Sequence, residues 1–288
     1  MEKATIPAKK RLEKTEVSLF SLSPQLFDLI DQWFNIPRIL DRTYLKRLFQ
    51  RKYRFGLDIG AGKGSMTEFL LKYVDKITCL DKEAKQLAVL KKRLGDKSQR
   101  LSFVKGDAGN LPFKNNSFDL IFSNCVLEHI KDDERVLAEI SRCLQPGGWL
   151  IMTFPNKQME AGWFKTLLFN QPRMRFLADP TIMKYFSFSN LKKAEEWYSS
   201  YRWQHVRRGY GLGETEKRLS RYHLKVEDSF YYPSKILSEL WEIITFSLLN
   251  KLFPYILFLF VPFFYLLPKN IGNRRNSLEF AILAQKER

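Results

Sequence analysis

The stretch Leu57-Asp58-Ile59-Gly60-Ala61-Gly62-Lys63-Gly64 narrows the fold more than any other part of the chain. It reads as a buried strand that ends at an acidic residue and a triple-glycine turn. The run Ser65 to Tyr73 that follows has helical character, with Met66, Phe69, Leu70 and Tyr73 at spacings of three and four. A strand, a glycine turn and a helix start form a site for a nucleoside-bearing ligand. The glycines let the backbone approach the ligand, and the helix start offers unpaired N–H groups. A dinucleotide fingerprint, G-x-G-x-x-G, would need glycine at position 65, where Ser65 stands. The pattern is instead D-x-G-x-G-x-G.

Further signals follow in order. Ile77-Thr78-Cys79-Leu80 is a short β-prone run ending at Asp81, 23 residues after Asp58. An acid at that point can accept two hydrogen bonds from a ribose diol. Leu101 to Lys105 is a third strand candidate, followed by Gly106-Asp107-Ala108, where Asp107 can accept from an adenine amino group with Ala108 near the ring. Ser117 to Asn124 forms a fourth strand with a polar C-terminal end, and Trp149 to Phe154 a fifth after the Leu144-Gln145-Pro146-Gly147-Gly148 turn.

Over Phe55 to Asn156 this succession of glycine turn, ribose acid, G-D-A, L-P-F, F-D-L-I, L-E-H-I and L-Q-P-G-G resembles the ubiquinone/menaquinone branch of the class I S-adenosylmethionine (SAM)-dependent methyltransferases. The resemblance implies an α/β fold on a mostly parallel, Rossmann-like sheet with an antiparallel last strand. It also implies SAM as cofactor, held by Asp58, Gly60, Gly62, Gly64, Asp81, Lys82, Asp107, Ala108 and Asn124. Each acid has a plainer reading beside the functional one: Asp58 could brace the turn, Asp81 could cap the helix Lys82 to Leu94, and Asp107 could be a turn residue. Asp119 reads as a structural acid. His129 is a weak catalytic candidate, because in this family the E-H pair more often shapes the loop.

The net charge of +17 is concentrated in two places. Between Arg38 and Arg54, seven cations face only Asp41; between Trp163 and Lys225, thirteen Lys/Arg face five Asp/Glu. Both stretches are interleaved with Trp, Tyr and Phe, which suits an anionic membrane surface. RNA would use the same chemistry, but no zinc pattern, RNP signature or helix-turn-helix is present. Asn124-Cys125-Val126-Leu127 also lacks the Asn/Asp-Pro-Pro-aromatic motif used on planar amines, so nucleic acid is not the expected partner. Cys79, Cys125 and Cys143 have no metal-ligand spacing and read as reduced thiols. Residues 1–19 are polar and charged, with no secretory signal.

The C-terminal region adds a hydrophobic segment. Leu252 to Leu267 is sixteen residues without a charge, interrupted by Pro254 and Pro262 and flanked by Lys251 and Lys269. That is short of the roughly 20 residues of a membrane span. Leu224 to Tyr232 resembles the sixth strand of the fold and Ser277 to Lys286 the seventh, which are antiparallel neighbours in the family. A segment inserted between two strands of one sheet leaves and returns on the same side of a bilayer. It is therefore expected to be a monotopic membrane element, or else an internal cover or dimer interface. The sequence fixes no oligomeric state.

The organisation expected is a basic, aromatic acceptor lid over residues 1–54, a SAM-binding core over 55–156, and an acceptor-side insertion over 157–222. The last two strands follow over 223–288, with the hydrophobic helical insertion at 234–272 before the final strand. The acceptor side is expected to draw on Leu19 to Gln50 and Asn156 to Tyr210. His205, in His205-Val206-Arg207-Arg208, is the best general-base candidate, and Arg207 and Arg208 suit an acidic group. The leading expectation is a methyltransferase on the cytoplasmic face of a membrane, acting on a lipophilic or lipid-linked acceptor. The alternatives are an RNA-modifying methyltransferase and a non-catalytic SAM-fold scaffold in a membrane complex.

Overall fold

Seven strands form one sheet. The computed structural model describes residues 36–157, 206, 209–232, 275, 277 and 279–288. In chain order the elements are α1 (Ile36–Leu45), β1 (Tyr53–Ile59), α2 (Thr67–Leu70), β2 (Val74–Asp81), α3 (Ala84–Arg93), β3 (Leu101–Lys105), β4 (Phe118–Asn124), α4 (Asp133–Cys143), β5 (Leu144–Pro155), α5 (Leu212–Ser220), β6 (Leu224–Tyr232) and β7 (Glu279–Lys286). The sheet order is β3-β2-β1-β4-β5-β7-β6. The pairs among β1 to β5 are parallel, and β7 runs antiparallel to both β5 and β6. The expected strand set and the antiparallel last strand are therefore present.

Helices cover both faces, so the central strands are apolar on both sides rather than alternating. In β4, Leu120 and Phe122 face one core with Tyr44, Leu48, Phe49, Phe69 and Leu90. Ile121 faces the other core, with Val136, Leu137 and Ile140 of α4 and Leu219 of α5. Strand order reverses between β1 and β4, which opens a crevice at the C-terminal ends of these two strands.

Three local expectations are corrected. The helix expected over Ser65 to Tyr73 is a single turn, Thr67–Leu70. It closes early because Lys72 N–H and Tyr73 N–H turn back to the carbonyls of Phe69 and Leu70, while the Tyr73 carbonyl is held by Tyr53 N–H at 2.8 Å. Strand β2 consequently begins at Val74, three residues before the expected Ile77. One helical turn is too short to act as a helix N-terminal site, so the glycine turn carries that part of the cofactor argument. Asp81 does not cap α3 either: the cap position is Glu83, with no side-chain cap bond.

Three chain segments are rooted at the C-terminal edge of the sheet. Asn156 bridges Tyr210 in parallel, so residues 158–208 leave and return at the end of β5. Tyr232 pairs with Glu279, so residues 233–278 leave and return between β6 and β7. Asp41, in α1, meets Asn124 at the end of β4. Residues 19–35, the insertion at 234–272 with Leu252 to Leu267, and His205, Arg207 and Arg208 lie outside the described residues. Among the described residues, no helix is long and apolar enough to cross a membrane.

Candidate functional site

The turn after β1 is built by backbone bonds to β2. Gly60 N–H and Ala61 N–H both reach the Leu80 carbonyl, at 2.8 and 3.1 Å, and Gly64 N–H reaches Ala61 O at 2.9 Å. Its glycines have different reasons. A Cβ at Gly64 would overlap Leu90 Cδ1, and one at Gly60 would lie 2.5 Å from Val126 Cγ2. Those two are glycine because the protein packs against them. At Gly62, with φ +54°, a Cβ would find no atom of the described residues closer than Gly60 O at 3.9 Å. Gly62 therefore faces open space at the crevice, where a ligand can reach the backbone.

The acids around this turn are held by main-chain and hydroxyl donors. Asp58 is buried, and its Oδ2 accepts from Thr67 Oγ1 at 2.7 Å, so the turn-bracing reading has a partner in the fold. Burial pushes the neighbouring Cys79 thiol far up its scale and the Asp58 charge adds to it, which keeps that cysteine protonated. Asp81 accepts from Gly62 N–H (2.9 Å) and Glu83 N–H (2.9 Å), one bond on each carboxylate oxygen. It ties the glycine turn to the end of β2 and remains half-buried at the crevice. Each oxygen retains a lone pair, so a diol can still be accepted. Lys82 beside it is exposed.

Asp107 is exposed, and its Oδ1 accepts from Gly109 N–H at 2.8 Å within a tight turn closed by Asn110 N–H on the Asp107 carbonyl. Ala108 is buried against the α4 side. Both readings of Asp107 thus share one geometry: the turn fixes the carboxyl group at the β3 edge of the crevice. Asp119 is structural as expected, accepting from Arg54 N–H and Phe55 N–H at 2.7 and 2.8 Å.

Asn124 is more engaged than the sequence suggested. Its Nδ2 donates to Asp41 Oδ2 at 3.0 Å and its Oδ1 accepts from Thr153 Oγ1 at 2.5 Å, all three side chains being buried. Thr153 Oγ1 in turn accepts from Cys125 N–H at 3.0 Å. Cys125 has φ +52°, a left-handed conformation rare for a residue with a side chain. Sequence reasoning misses Asp41 and Thr153 as site residues; a polar residue at the last inward position of β5 was the available signal for Thr153. His129 is exposed on a short turn, Leu127–His129, and its N–H bonds the Val126 carbonyl.

Residues 57–152 match the family model described as a methyltransferase domain. The fold aligns with a SAM-dependent methyltransferase of Thermotoga maritima at TM-score 0.54 and 16% identity, covering 94% of this chain and 99% of that one. Residues 57–152 of this chain thus carry a methyltransferase domain on the class I SAM-dependent methyltransferase fold. The methyltransferase also aligns with phosphoethanolamine N-methyltransferase 2 of Haemonchus contortus in its SAM complex, at TM-score 0.53 and 18% identity over 86% of this chain and 52% of that one. Among curated relatives, it is 25% identical to ubiquinone biosynthesis O-methyltransferase of Coxiella burnetii over 54% of this chain and 68% of that protein. It is 30% identical to demethylmenaquinone methyltransferase of Thermotoga maritima over 49% of this chain and 62% of that protein. The methyltransferase thus spans about three-fifths to two-thirds of the length of these relatives. SAM fits the residues present: the open backbone at Gly62, the half-buried Asp81 and the turn at Asp107 stand at the C-terminal ends of the adjacent strands β1, β2 and β3.

Proposed function

We propose that this methyltransferase works at the cytoplasmic face of a membrane and methylates a lipophilic, quinone-like acceptor. The observation that carries the reading is topological. The uncharged run Leu252 to Leu267 lies within a segment whose two roots, Tyr232 and Glu279, are paired neighbours bonded by Tyr232 Oη to Glu279 Oε2 at 2.9 Å. Those roots sit at the same sheet edge as the glycine turn. A hydrophobic segment rooted there can present a lipophilic acceptor beside the cofactor, and the quinone substrates in the names of the curated relatives agree with that chemistry.

When bound, SAM supplies an already activated methyl group and leaves as a neutral thioether. The protein has four tasks. Gly62 admits the ligand to the backbone. Asp81 accepts from the ribose hydroxyls, and Asp107 accepts from the adenine amino group. His205 receives the proton of an oxygen or carbon acceptor, since its ordinary pKa lies near neutrality. The 158–208 and 233–278 segments align the acceptor and exclude water, which supplies most of the remaining rate advantage.

The test is methyl transfer from labelled SAM to membrane lipid extract, soluble small molecules and RNA in parallel. Label in the lipid extract is the expected result. Label confined to RNA or to soluble compounds rejects the reading. In the lipid assay His205→Ala should lose on the order of 10²-fold in rate with SAM affinity intact. Deletion of residues 234–272 should abolish sedimentation with membranes and leave SAM binding in place.

A further inference from the structure

Helix α1 holds the cofactor site at two points through consecutive residues. Asp41, only 2% exposed, accepts from Asn124 Nδ2 at 3.0 Å. Arg42 donates through Nε to the Ser65 carbonyl at 3.1 Å, with Nη2 on the same oxygen. Ser65 directly follows Gly64, the last glycine of the turn after β1. Asn124 ends β4. These two strands flank the point where strand order reverses, so one pair of adjacent residues bridges both sides of the crevice.

The Asp41 contact reaches further. Cys125 N–H donates to Thr153 Oγ1, Thr153 Oγ1–H donates to Asn124 Oδ1, and Asn124 Nδ2–H donates to Asp41. Every donor in this chain points toward the carboxylate, an arrangement in which each bond polarises the next. It ends on the left-handed peptide of Cys125, a conformation that persists only where the surroundings impose it. The next residue, Val126, packs on Gly60, its Cγ2 standing where that glycine has no side chain.

From this we propose that Asp41 and Arg42 are positioning residues for SAM. Docking of α1 sets both the glycine turn and the 124–126 loop, so cofactor binding and α1 docking are linked. Linkage is reciprocal: SAM tightens α1 on the core, and loosening α1 at Asp41 weakens SAM.

Calorimetry of SAM binding to the full-length protein tests this. Asp41→Asn keeps size and burial but removes the charge that accepts from Asn124 Nδ2, replacing a charge-assisted bond by a neutral one; it should weaken SAM by about tenfold or more, within the usual range of coupling. The exchange variant Asp41→Asn/Asn124→Asp restores a donor facing a carboxylate and keeps the Thr153 bond, so it should recover most of that loss. Leu48→Ala is the matched control, because Leu48 is buried beyond the far end of the same helix. It should lower the melting temperature and leave SAM affinity within about twofold of wild type. Asp41→Asn binding SAM as wild type does, or Leu48→Ala weakening SAM as much as Asp41→Asn, would overturn the proposal.

Discussion

Gly62→Ala and Gly64→Ala should reverse their order between stability and SAM affinity. Both glycines have positive φ, +54° and +83°, so any side chain carries a conformational cost of about 1–2 kcal/mol. At Gly62 that is the whole cost from the described residues, because the new methyl group meets none of their atoms closer than 3.9 Å. At Gly64 the methyl group would overlap Leu90, which is fully buried, so making room means repacking the core around it. Overpacking there adds about 1–3 kcal/mol, for roughly 2–5 kcal/mol in all. Thermal unfolding without ligand should therefore place Gly64→Ala well below Gly62→Ala, at about 2–4 °C per kcal/mol for a chain near this size. Calorimetry at a temperature where both are folded should show the opposite ranking. Gly62→Ala should lose at least about tenfold in SAM affinity, or about 1.4 kcal/mol, because its methyl group occupies the space through which the ligand meets the backbone. Wild-type SAM affinity in Gly62→Ala, or a Gly64→Ala protein as stable as Gly62→Ala, would refute the division of the turn into one ligand-facing and two packing glycines.

Asp81→Ala should weaken SAM by about 1–3 kcal/mol, since it removes a charged acceptor; unchanged affinity by calorimetry rejects the ribose assignment. Arg218→Ala should destabilise the fold by about 3–5 kcal/mol in chemical denaturation. It removes the counter-charge of the buried Asp133, whose Oδ1 lies 2.9 Å from Arg218 Nη2 with side-chain exposures of 1% and 8%, and leaves neutral partners such as Tyr210 Oη, 2.8 Å from Oδ2. SAM affinity of the folded variant should be unaffected, because this pair joins α4 to α5 away from the crevice. Glu139 is held below its ordinary pKa of 4.5, chiefly by its two bonds from Arg142 and further by Leu111 N–H. A carboxyl depressed in the folded state stabilises above its unfolded pKa and loses that contribution as pH falls through the folded value. Glu139→Gln should thus flatten the acid limb of the stability–pH curve below about pH 4.5 and leave its slope near neutrality unchanged; an unchanged acid limb counts against it.

The glycine turn, the acids at the ends of β1 and β2, and the spacing between them were legible in sequence because each follows from a local requirement. A turn that crowds Val126 and Leu90 admits only glycine, and strands covered on both faces must be continuously apolar. Strand β6 was legible to the residue through the resemblance of Leu224 to Tyr232 to the sixth strand of the family. The length of α2 was not. Met66, Phe69, Leu70 and Tyr73 have helical spacing, but Tyr53 captures the Tyr73 carbonyl and ends the helix after one turn.

Sequence alone thus determined the fold, the order of its motifs and the cofactor class, because these rest on patterns within short windows. Tertiary structure decided what each polar residue does with its hydrogen bonds. Asn124 reads as a cofactor ligand from its place at a strand end, yet its amide is taken by Thr153 and by Asp41, 29 and 83 residues away. Asp58 and Asp81 read as ligand acids, yet Thr67, Gly62 and Glu83 reach them first. A donor and an acceptor so far apart in the chain leave no periodic mark on it. The pairing of β4 with β5 sets Thr153 beside Asn124, and the packing of α1 against the end of β4 brings Asp41 to the same amide, and with it the clamp on the glycine turn.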